Sequence, residues 1–577
     1  MNAPLRQSNK DIVMTGARHL AQVLHGYDVD HVFYVPAVLL TTLAEMEDLP
    51  IKRILAHSEK AAAYMADGYA RASGKPGLCF AQNIGASNLA SGLRDARMAR
   101  APVIAITGGP SAASRYRNYY QEIEDFTQFD AVTKFNAIVD DVTRLPDLVR
   151  QAFRVATTGA PGPVHLRLPG VTADDFMNAD ASLPVVVEER FKSAPAYRPQ
   201  PDPAEIEEAL RVLLSAKRPI ILAGGGVRTS AAHQELVRLA ERLGMPVATS
   251  LNAKGAIAEN HPLALGVAGT YSRTCANKAI AEADLVFFIG SQTGGQVTTR
   301  WNLPAAGTRI IHLDIEPSEI GRNYPDTTPI LADAKVALAV LLDRVGSGVP
   351  APVLEPWRQR VRELVAEWRR HEEPLLSSNM VPMRPERVCR AITQALPENA
   401  VLVSDTGHSG MWSGVMVDLT RPGQRYIRCA GSLGWGLPGA LGVKCALPDQ
   451  PVVCFAGDGG VYYHLAELET AARHGINLVL VVNNNNALNQ EIQLYEAAYK
   501  GNRRGRSDEL WRFTDVRFSD LAKNMGCAGV RVEHPDALSD ALNEAIAANR
   551  PTVVETITEV YAEAKNAWLP GAGDGKH

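Results

Sequence analysis

The amino-acid sequence predicts an α/β protein of three domains, each built on a mostly parallel sheet. Three observations carry that expectation. Short apolar runs alternate with stretches of helical periodicity along the whole chain, the pattern of strand–helix–strand units. The 577 residues exceed what one hydrophobic core organises, at roughly 150 residues per domain. A proline-rich segment, SAPAYRPQPDPAE at 193–205, reads as a linker after the first α/β block.

The elements follow in order. The first block, 1–185, holds the strands PVIAIT (102–107) and PVHLRL (163–168). The second, 200–350, opens on RPIILAGGGV (218–227), a strand running into three glycines, and continues with ADLVFFIGS (283–291) and TRIIHLDIEP (308–317). A charged helical stretch, WRQRVRELVAEWRRHEE, leads to the third block, 375–560. Its strands read AVLVSD (400–405), VVCFAGD (452–458), LVLVVN (478–483) and TVVETI (552–557). The glycine-rich tail, 561–577, is expected to be mobile unless a ligand orders it, which makes it a candidate lid.

Composition excludes several classes. The formal net charge is −4, with 46% hydrophobic and 21% charged residues. That balance gives neither a nucleic-acid footprint nor a membrane-surface one. No apolar run approaches the ~18 residues of a membrane span. The opening MNAPLRQSNK lacks the apolar centre of a signal peptide. The seven cysteines are scattered without a CxxC pair, so they read as buried, reduced thiols of a cytoplasmic protein.

The strongest chemical signal lies in the third block. VVCFAGDGG is an apolar strand ending in Gly457–Asp458–Gly459 and followed by Gly460. A helical stretch with Gly475 as its stop leads to a second strand, which runs into Asn483, Asn484, Asn485 and Asn486. Glycines let a backbone approach a diphosphate. An aspartate and an asparagine at the ends of two parallel strands can converge on a hard cation, and Mg²⁺ takes oxygen ligands while bridging to phosphates. Gly-Asp-Gly, 24 residues, then Asn484–Asn485 resembles the fingerprint of thiamine-diphosphate enzymes of the acetolactate synthase, pyruvate oxidase and 2-oxo acid decarboxylase group. The resemblance implies that Asp458, Asn485 and the backbone carbonyl of Ala487 bind Mg²⁺, and that Gly457, Gly459 and Gly460 border the cofactor.

In the first block, ILAHSEKAAAYMADGYARASGKPGLCF (54–80) reads as a strand ending at Glu59 and a helix from Lys60 to Gly74. Glu59 followed by AAxxMADGYARxxGxPG resembles the pyrimidine-domain motif of the same family. The resemblance makes Glu59 the carboxyl that activates the cofactor's pyrimidine ring. Many relatives have histidine directly before this glutamate; here Ser58 stands there. LGWGLPGALG (433–442) is similar to the family's stretch under the cofactor, with Leu433 as the apolar wedge and the Gly431 carbonyl as an acceptor. NIGASNLASGLRDA (83–96) is similar too and places Gly85 beside the cofactor. YQE (120–122) and LDIEPSEIG (313–321) extend the resemblance over nearly the whole chain.

Three features bear on the reaction. Glu491 lies six residues past Asn485, where decarboxylases of the family carry an acid that protonates the reacting carbon and acetolactate synthases carry an apolar residue. The adjacent histidine pair of the decarboxylases is missing, and YRNYYQE (116–122) stands instead, with Gln121 matching a cofactor-site glutamine and Tyr120 a candidate substrate contact. YKGNRRGRSDELWR (499–512) is basic, as the phosphates of a coenzyme A thioester would require.

These features point to a thiamine-diphosphate-dependent lyase of the 2-hydroxyacyl-CoA lyase or 2-oxo acid decarboxylase type, reversible toward acyloin condensation. An acetolactate-synthase-type carboligase is the alternative, and a non-catalytic homologue the remote one. The expected substrate is a 2-oxo acid, an aldehyde or an acyl-CoA thioester. The central block resembles the family's nucleotide-binding-like domain; no redox flavin is expected there, and ADP is left open. In the family Glu59 of one copy meets Asp458 of another, which implies at least a homodimer and favours a homotetramer.

Overall fold

The computed structural model describes residues 13–346 and 351–571. Three six-stranded sheets organise it. In the first, the strands run in the spatial order Lys52–Leu55, His31–Tyr34, Gly77–Ala81, Val103–Thr107, Val164–Arg167, Phe135–Ile138, all parallel. The second runs Ala264–Val267, Val247–Thr249, Pro219–Ala223, Leu285–Ile289, Arg309–Asp314, Thr328–Leu331. The third runs Arg425–Arg428, Val401–Ser404, Val452–Gly457, Val479–Asn484, Thr552–Ile557, Ala528–Val532. These two are parallel throughout as well. A short antiparallel pair, Val13–Thr15 with Asp180–Ser182, stands apart.

Parallel sheets carry helices on both faces, so their central strands read as continuous apolar runs. Pro219–Ala223, Leu285–Ile289 and Val103–Thr107 are buried along their whole length. The chain forms two compact units. Residues up to Tyr197, with Leu441–Leu447, make one, around a core that includes Leu20, Val32, Phe80 and Phe153. The rest makes the other, in which one hydrophobic cluster joins the second and third sheets: Leu222 and Phe288 share it with Leu402, Phe455 and Val481.

Local chemistry moves some expected boundaries. The strand before Glu59 ends at Leu55, and Ser58 caps the helix Glu59–Ser73 by accepting the Ala61 N–H at 3.1 Å. A serine in this position satisfies an otherwise orphaned donor, so Glu59 is the first helical residue. Gly74 ends that helix in the left-handed conformation (φ 76°). The expected linker closes earlier than 205, because Asp202 caps a helix whose first residue is Pro203. All seven cysteines are buried and none forms a disulfide. Among the described residues no helix is long and apolar enough to cross a membrane.

The described part of the tail is tied down. Ala562 and Ala564 are buried, the Lys565 ammonium contacts the Glu372 carboxylate at 2.7 Å, and Asn277 Nδ2 donates to the Trp568 carbonyl at 3.2 Å. Residues 572–577, the end of the candidate lid, lie outside the described residues. Two of the three glycines after Pro219–Ala223 have an internal explanation. A Cβ on Gly224 would stand 2.2 Å from the Gly290 carbonyl oxygen, and one on Gly226 would stand 2.7 Å from the Gly290 Cα. Two strand ends approach backbone to backbone there.

Candidate active site in two halves

The first half is built at the carboxyl ends of the third sheet. Val452–Gly457 pairs with Val479–Asn484 so that Gly457 faces Asn483. Asp458 and Asn485 therefore leave neighbouring strands at the same edge. Asp458 is 2% exposed. Its Oδ1 accepts the Gly459 N–H at 2.9 Å and its Oδ2 accepts the Ala487 N–H at 3.0 Å. Burial nevertheless pushes its carboxyl up to about 7 against those donors. A divalent ion beside this buried carboxylate would favour its ionised form.

The asparagine run divides its work. Asn484 is committed to the fold: Nδ2 donates to Glu555 Oε1 at 2.9 Å and Oδ1 accepts the Asn486 N–H at 3.1 Å. The side-chain oxygens of Asn483, Asn485 and Asn486 are buried and accept no hydrogen bond. Asn486 adopts a left-handed conformation (φ 55°) that turns the loop, one asparagine tolerates better than most residues. Asp458 with the uncommitted Asn485 oxygen is an all-oxygen donor set, which fits Mg²⁺ and leaves positions for phosphate and water. Among the described residues no group of three or more His, Cys, Asp and Glu forms a metal cluster, and this donor set needs only one carboxylate.

The glycines make room. A Cβ on Gly459 would stand 2.4 Å from Leu488 Cδ2. One on Gly460 would stand 2.8 Å from Asp405 Oδ2 and 3.5 Å from Leu433 Cδ1, which puts the half-buried Leu433 side chain against the Asp458 turn. Gly457 borders Ser409, whose Oγ lies 3.2 Å from its ideal Cβ. Gly431 is exposed in the turn before Leu433.

Two residues that the sequence reading passed over shape this half. Asp405 is buried at the end of the strand Val401–Ser404. It accepts the N–H groups of Thr406 (2.7 Å), Gly434 (3.1 Å) and Gly436 (3.1 Å), and so fixes the loop carrying Leu433. His408 follows Gly407 (φ 70°). It bonds Asn489 Oδ1 at 2.9 Å, packs against the Trp412 ring, and burial lowers its pKa. The only sequence signal for either was a polar residue at a strand's carboxyl end. Asn489 in turn donates to the Val560 and Ala562 carbonyls. The short turn Asn489–Glu491 is thereby anchored, and Glu491 caps the helix Ile492–Ala498. Its carboxylate is half-buried and carries no side-chain partner among the described residues.

The second half lies on the first sheet. Asn88 Nδ2 donates to Glu59 Oε2 at 2.7 Å. Gly85 lets the carboxylate lie across the backbone, since a Cβ there would stand 2.5 Å from Glu59 Oε1. Gln121 has a left-handed backbone (φ 62°), its carbonyl accepts from Asn83 Nδ2, and its own Oε1 is buried without a partner. Tyr120 points outward, 74% exposed. Glu122 holds the turn by accepting the N–H groups of Tyr116 (2.6 Å) and Tyr119 (2.9 Å).

Part of the basic run is paired locally. Arg503 pairs with Glu496 and Arg506 with Glu509.

Comparison with known proteins decides the family. Three models match along the chain: the N-terminal thiamine pyrophosphate binding domain over 14–129, the central domain of thiamine pyrophosphate enzymes over 206–341, and the C-terminal thiamine pyrophosphate binding domain over 405–556. The chain belongs to the thiamine pyrophosphate enzymes. Within that family it is similar to a probable acetolactate synthase large subunit of Methanocaldococcus jannaschii, 33% identical over 571 residues, 97% of this chain and 94% of that protein. The acetolactate synthase large subunit of Haemophilus influenzae is 31% identical and covers 92% of each chain. The acetolactate synthase of Arthrospira platensis is 31% identical and covers 94% of each. The protein is thus a thiamine-diphosphate-dependent enzyme, and its relatives support carboligase activity over the expected acyl-CoA lyase.

Proposed function

We propose that the chain is a carboligase of the acetolactate synthase type, which decarboxylates a 2-oxo acid and joins the acyl unit to a second carbonyl compound. One observation carries this reading: the near full-length similarity to proteins named acetolactate synthase. It replaces the acyl-CoA lyase as the main reading. The local pairing of Arg503 and Arg506 also leaves fewer free cations for thioester phosphates than the sequence suggested.

When bound, thiamine diphosphate supplies a carbon nucleophile and an electron sink for the acyl unit. The chain's own residues do the rest. Asp458 and Asn485 hold Mg²⁺, with Ala487 positioning Asp458 through its N–H and offering its carbonyl to the ion. Gly457, Gly459 and Gly460 keep the backbone open to the diphosphate. Leu433 shapes the cofactor, and Asp405 keeps the Leu433 loop in place. Glu59 hydrogen-bonds the pyrimidine ring and manages its proton. Gln121 lines the substrate side. In the central domain, Gly224 and Gly226 serve backbone packing against Gly290. The family's arrangement makes a homodimer the minimum catalytic assembly, with Glu59 from one copy serving the metal site of another.

Glu491 favours a second reading, a decarboxylase that releases aldehyde, because an unpartnered carboxylate stands in the turn after the metal loop. One experiment separates the two. The holoenzyme, with thiamine diphosphate and Mg²⁺, is given pyruvate with and without a second aldehyde, and the products are identified by NMR. Carboligation yields a hydroxyketone with a new C–C bond. Free acetaldehyde as the main product supports the second reading and overturns the first.

A further inference from the structure

A cavity of about 190 Å³ opens at the carboxyl ends of the first sheet. It lies among the loops that follow Gly77–Ala81, Val103–Thr107 and Val164–Arg167, the edge where open α/β sheets take ligands. Its polar wall consists of Asn83, Ser111, Ser114, Tyr119, Glu122 and Asp175. Among the residues lining it there is no lysine, arginine or histidine. The Ser111 and Ser114 hydroxyls bond each other at 3.0 Å, and Glu122 is occupied by two backbone N–H groups. Asp175 is exposed, with no side-chain partner among the described residues.

Asn83 links this cavity to the cofactor side. It is 2% exposed, donates from Nδ2 to the Gln121 carbonyl, and leaves Oδ1 buried without a hydrogen bond. Two residues further on, Gly85 lies directly against the Glu59 carboxylate. A buried acceptor left unpaired calls for a donor. The lining holds two carboxylates, Glu122 and Asp175, and three hydroxyls, those of Ser111, Ser114 and Tyr119. A ligand bearing its own carboxylate meets like charge here and finds no cation; a neutral, hydroxylated ligand finds acceptors for its O–H groups.

We propose that this cavity is the acceptor-substrate pocket, and that it takes a neutral hydroxylated aldehyde or ketone rather than a second 2-oxo acid. The inference rests on the carboligase reading. The chemistry balances with one proton taken from solvent and no other reactant. The donor 2-oxo acid loses its carboxylate as CO₂, the electron pair of that bond is carried into the new bond between the donor's acyl carbon and the acceptor's carbonyl carbon, and one proton ends on the acceptor oxygen. Asn83 positions the acceptor, and Asp175 sets its charge class.

The test gives the holoenzyme pyruvate as donor and compares glycolaldehyde with a second pyruvate as acceptor. The expected preference in kcat/KM is at least tenfold for glycolaldehyde. Asp175→Asn is expected to shift that ratio toward pyruvate at least fivefold. Asn83→Ala is expected to raise the acceptor KM at least tenfold while changing kcat less than threefold, the split of a residue that positions substrate. Circular dichroism and melting temperature establish that both variants are folded. Acetolactate formed as efficiently as the mixed product, with a ratio indifferent to Asp175→Asn, overturns the acceptor proposal and leaves the carboligase reading standing. Absence of any joined product with every acceptor overturns the carboligase reading itself.

Discussion

The two halves of the site are built by different means. The diphosphate half is made of strand ends and one tight turn: Asp458 and the asparagine loop are buried, their geometry is fixed by backbone N–H donors, and glycines keep side chains away. The Glu59 half is more open. Its substrate side is an irregular segment in which Tyr116, Asn118 and Gln121 all adopt left-handed backbones, and Tyr116 and Tyr120 face outward. The difference follows from what each half must do. A metal and a diphosphate demand close, rigid backbone approach. A substrate pocket has to be shaped by side chains that differ from one enzyme to the next.

The contrast can be broken or sharpened by substitution. The largest effect is expected from Glu59→Gln. Turnover should fall at least ~100-fold, within the range a positioned proton carrier contributes, with thermal stability nearly unchanged. Steady-state assays alongside melting curves check this. Full activity would remove the activation role.

Matched glycine changes come next. Gly459→Ala forces a Cβ into Leu488, and overpacking of this kind costs about 1–3 kcal/mol, readable by urea unfolding. Gly85→Ala meets only the Glu59 side chain, from Cγ to Oε1, which can rotate aside. It should therefore change stability by less than ~0.5 kcal/mol while displacing the carboxylate and lowering activity. If both variants behave alike, the distinction between the halves fails.

A further effect concerns the frame that carries the diphosphate half. Asp418 contacts Arg273 at 2.6 Å and Arg369 at 3.0 Å, and Lys254 pairs with Glu259 in the same buried cluster. Burial alone would raise the Asp418 carboxyl, but Arg273, Arg369 and Lys254 outweigh it and hold it down at about 2, against an ordinary 3.8. Its folded value lies below its unfolded one. The stabilisation is therefore complete above about pH 4 and disappears as pH falls through 2. It amounts to roughly 2 kcal/mol. Acid unfolding of the wild type followed by far-UV dichroism, compared with Asp418→Asn, should show the variant losing that increment at neutral pH and lacking the corresponding slope between pH 4 and 2.

Much of this was legible in the sequence. Parallel sheets leave continuous apolar runs, so VVCFAG and LVLVV announced both their strands and the edge on which Asp458 and Asn485 meet. Glycine requirements were legible for the same reason: Gly459 and Gly460 sit where any side chain would collide with Leu488 or Asp405. Asp405 and His408 were not legible, because a polar residue at a strand end carries no sign of which distant backbone it will hold. The Glu59 helix start was misplaced by one residue through the Ser58 cap. The basic run after Tyr499 looked available for phosphates because sequence order does not reveal that Glu496 and Glu509 turn back onto its arginines. The reaction was hardest to read. Glu491 differs from the apolar residue the resemblance leads one to expect in a synthase, while similarity along the whole chain favours carboligation.

In the proposed function, Asp458 and Asn485 hold a divalent ion that anchors thiamine diphosphate. Isothermal titration of thiamine diphosphate into the metal-free chain, with and without Mg²⁺, measures it directly for the wild type and for Asn485→Leu. Tight binding by the wild type is expected only with Mg²⁺, and at least tenfold weaker binding by Asn485→Leu, about 1.4 kcal/mol or more. Equal affinity with and without Mg²⁺, or an Asn485→Leu variant that binds as the wild type does, would contradict it.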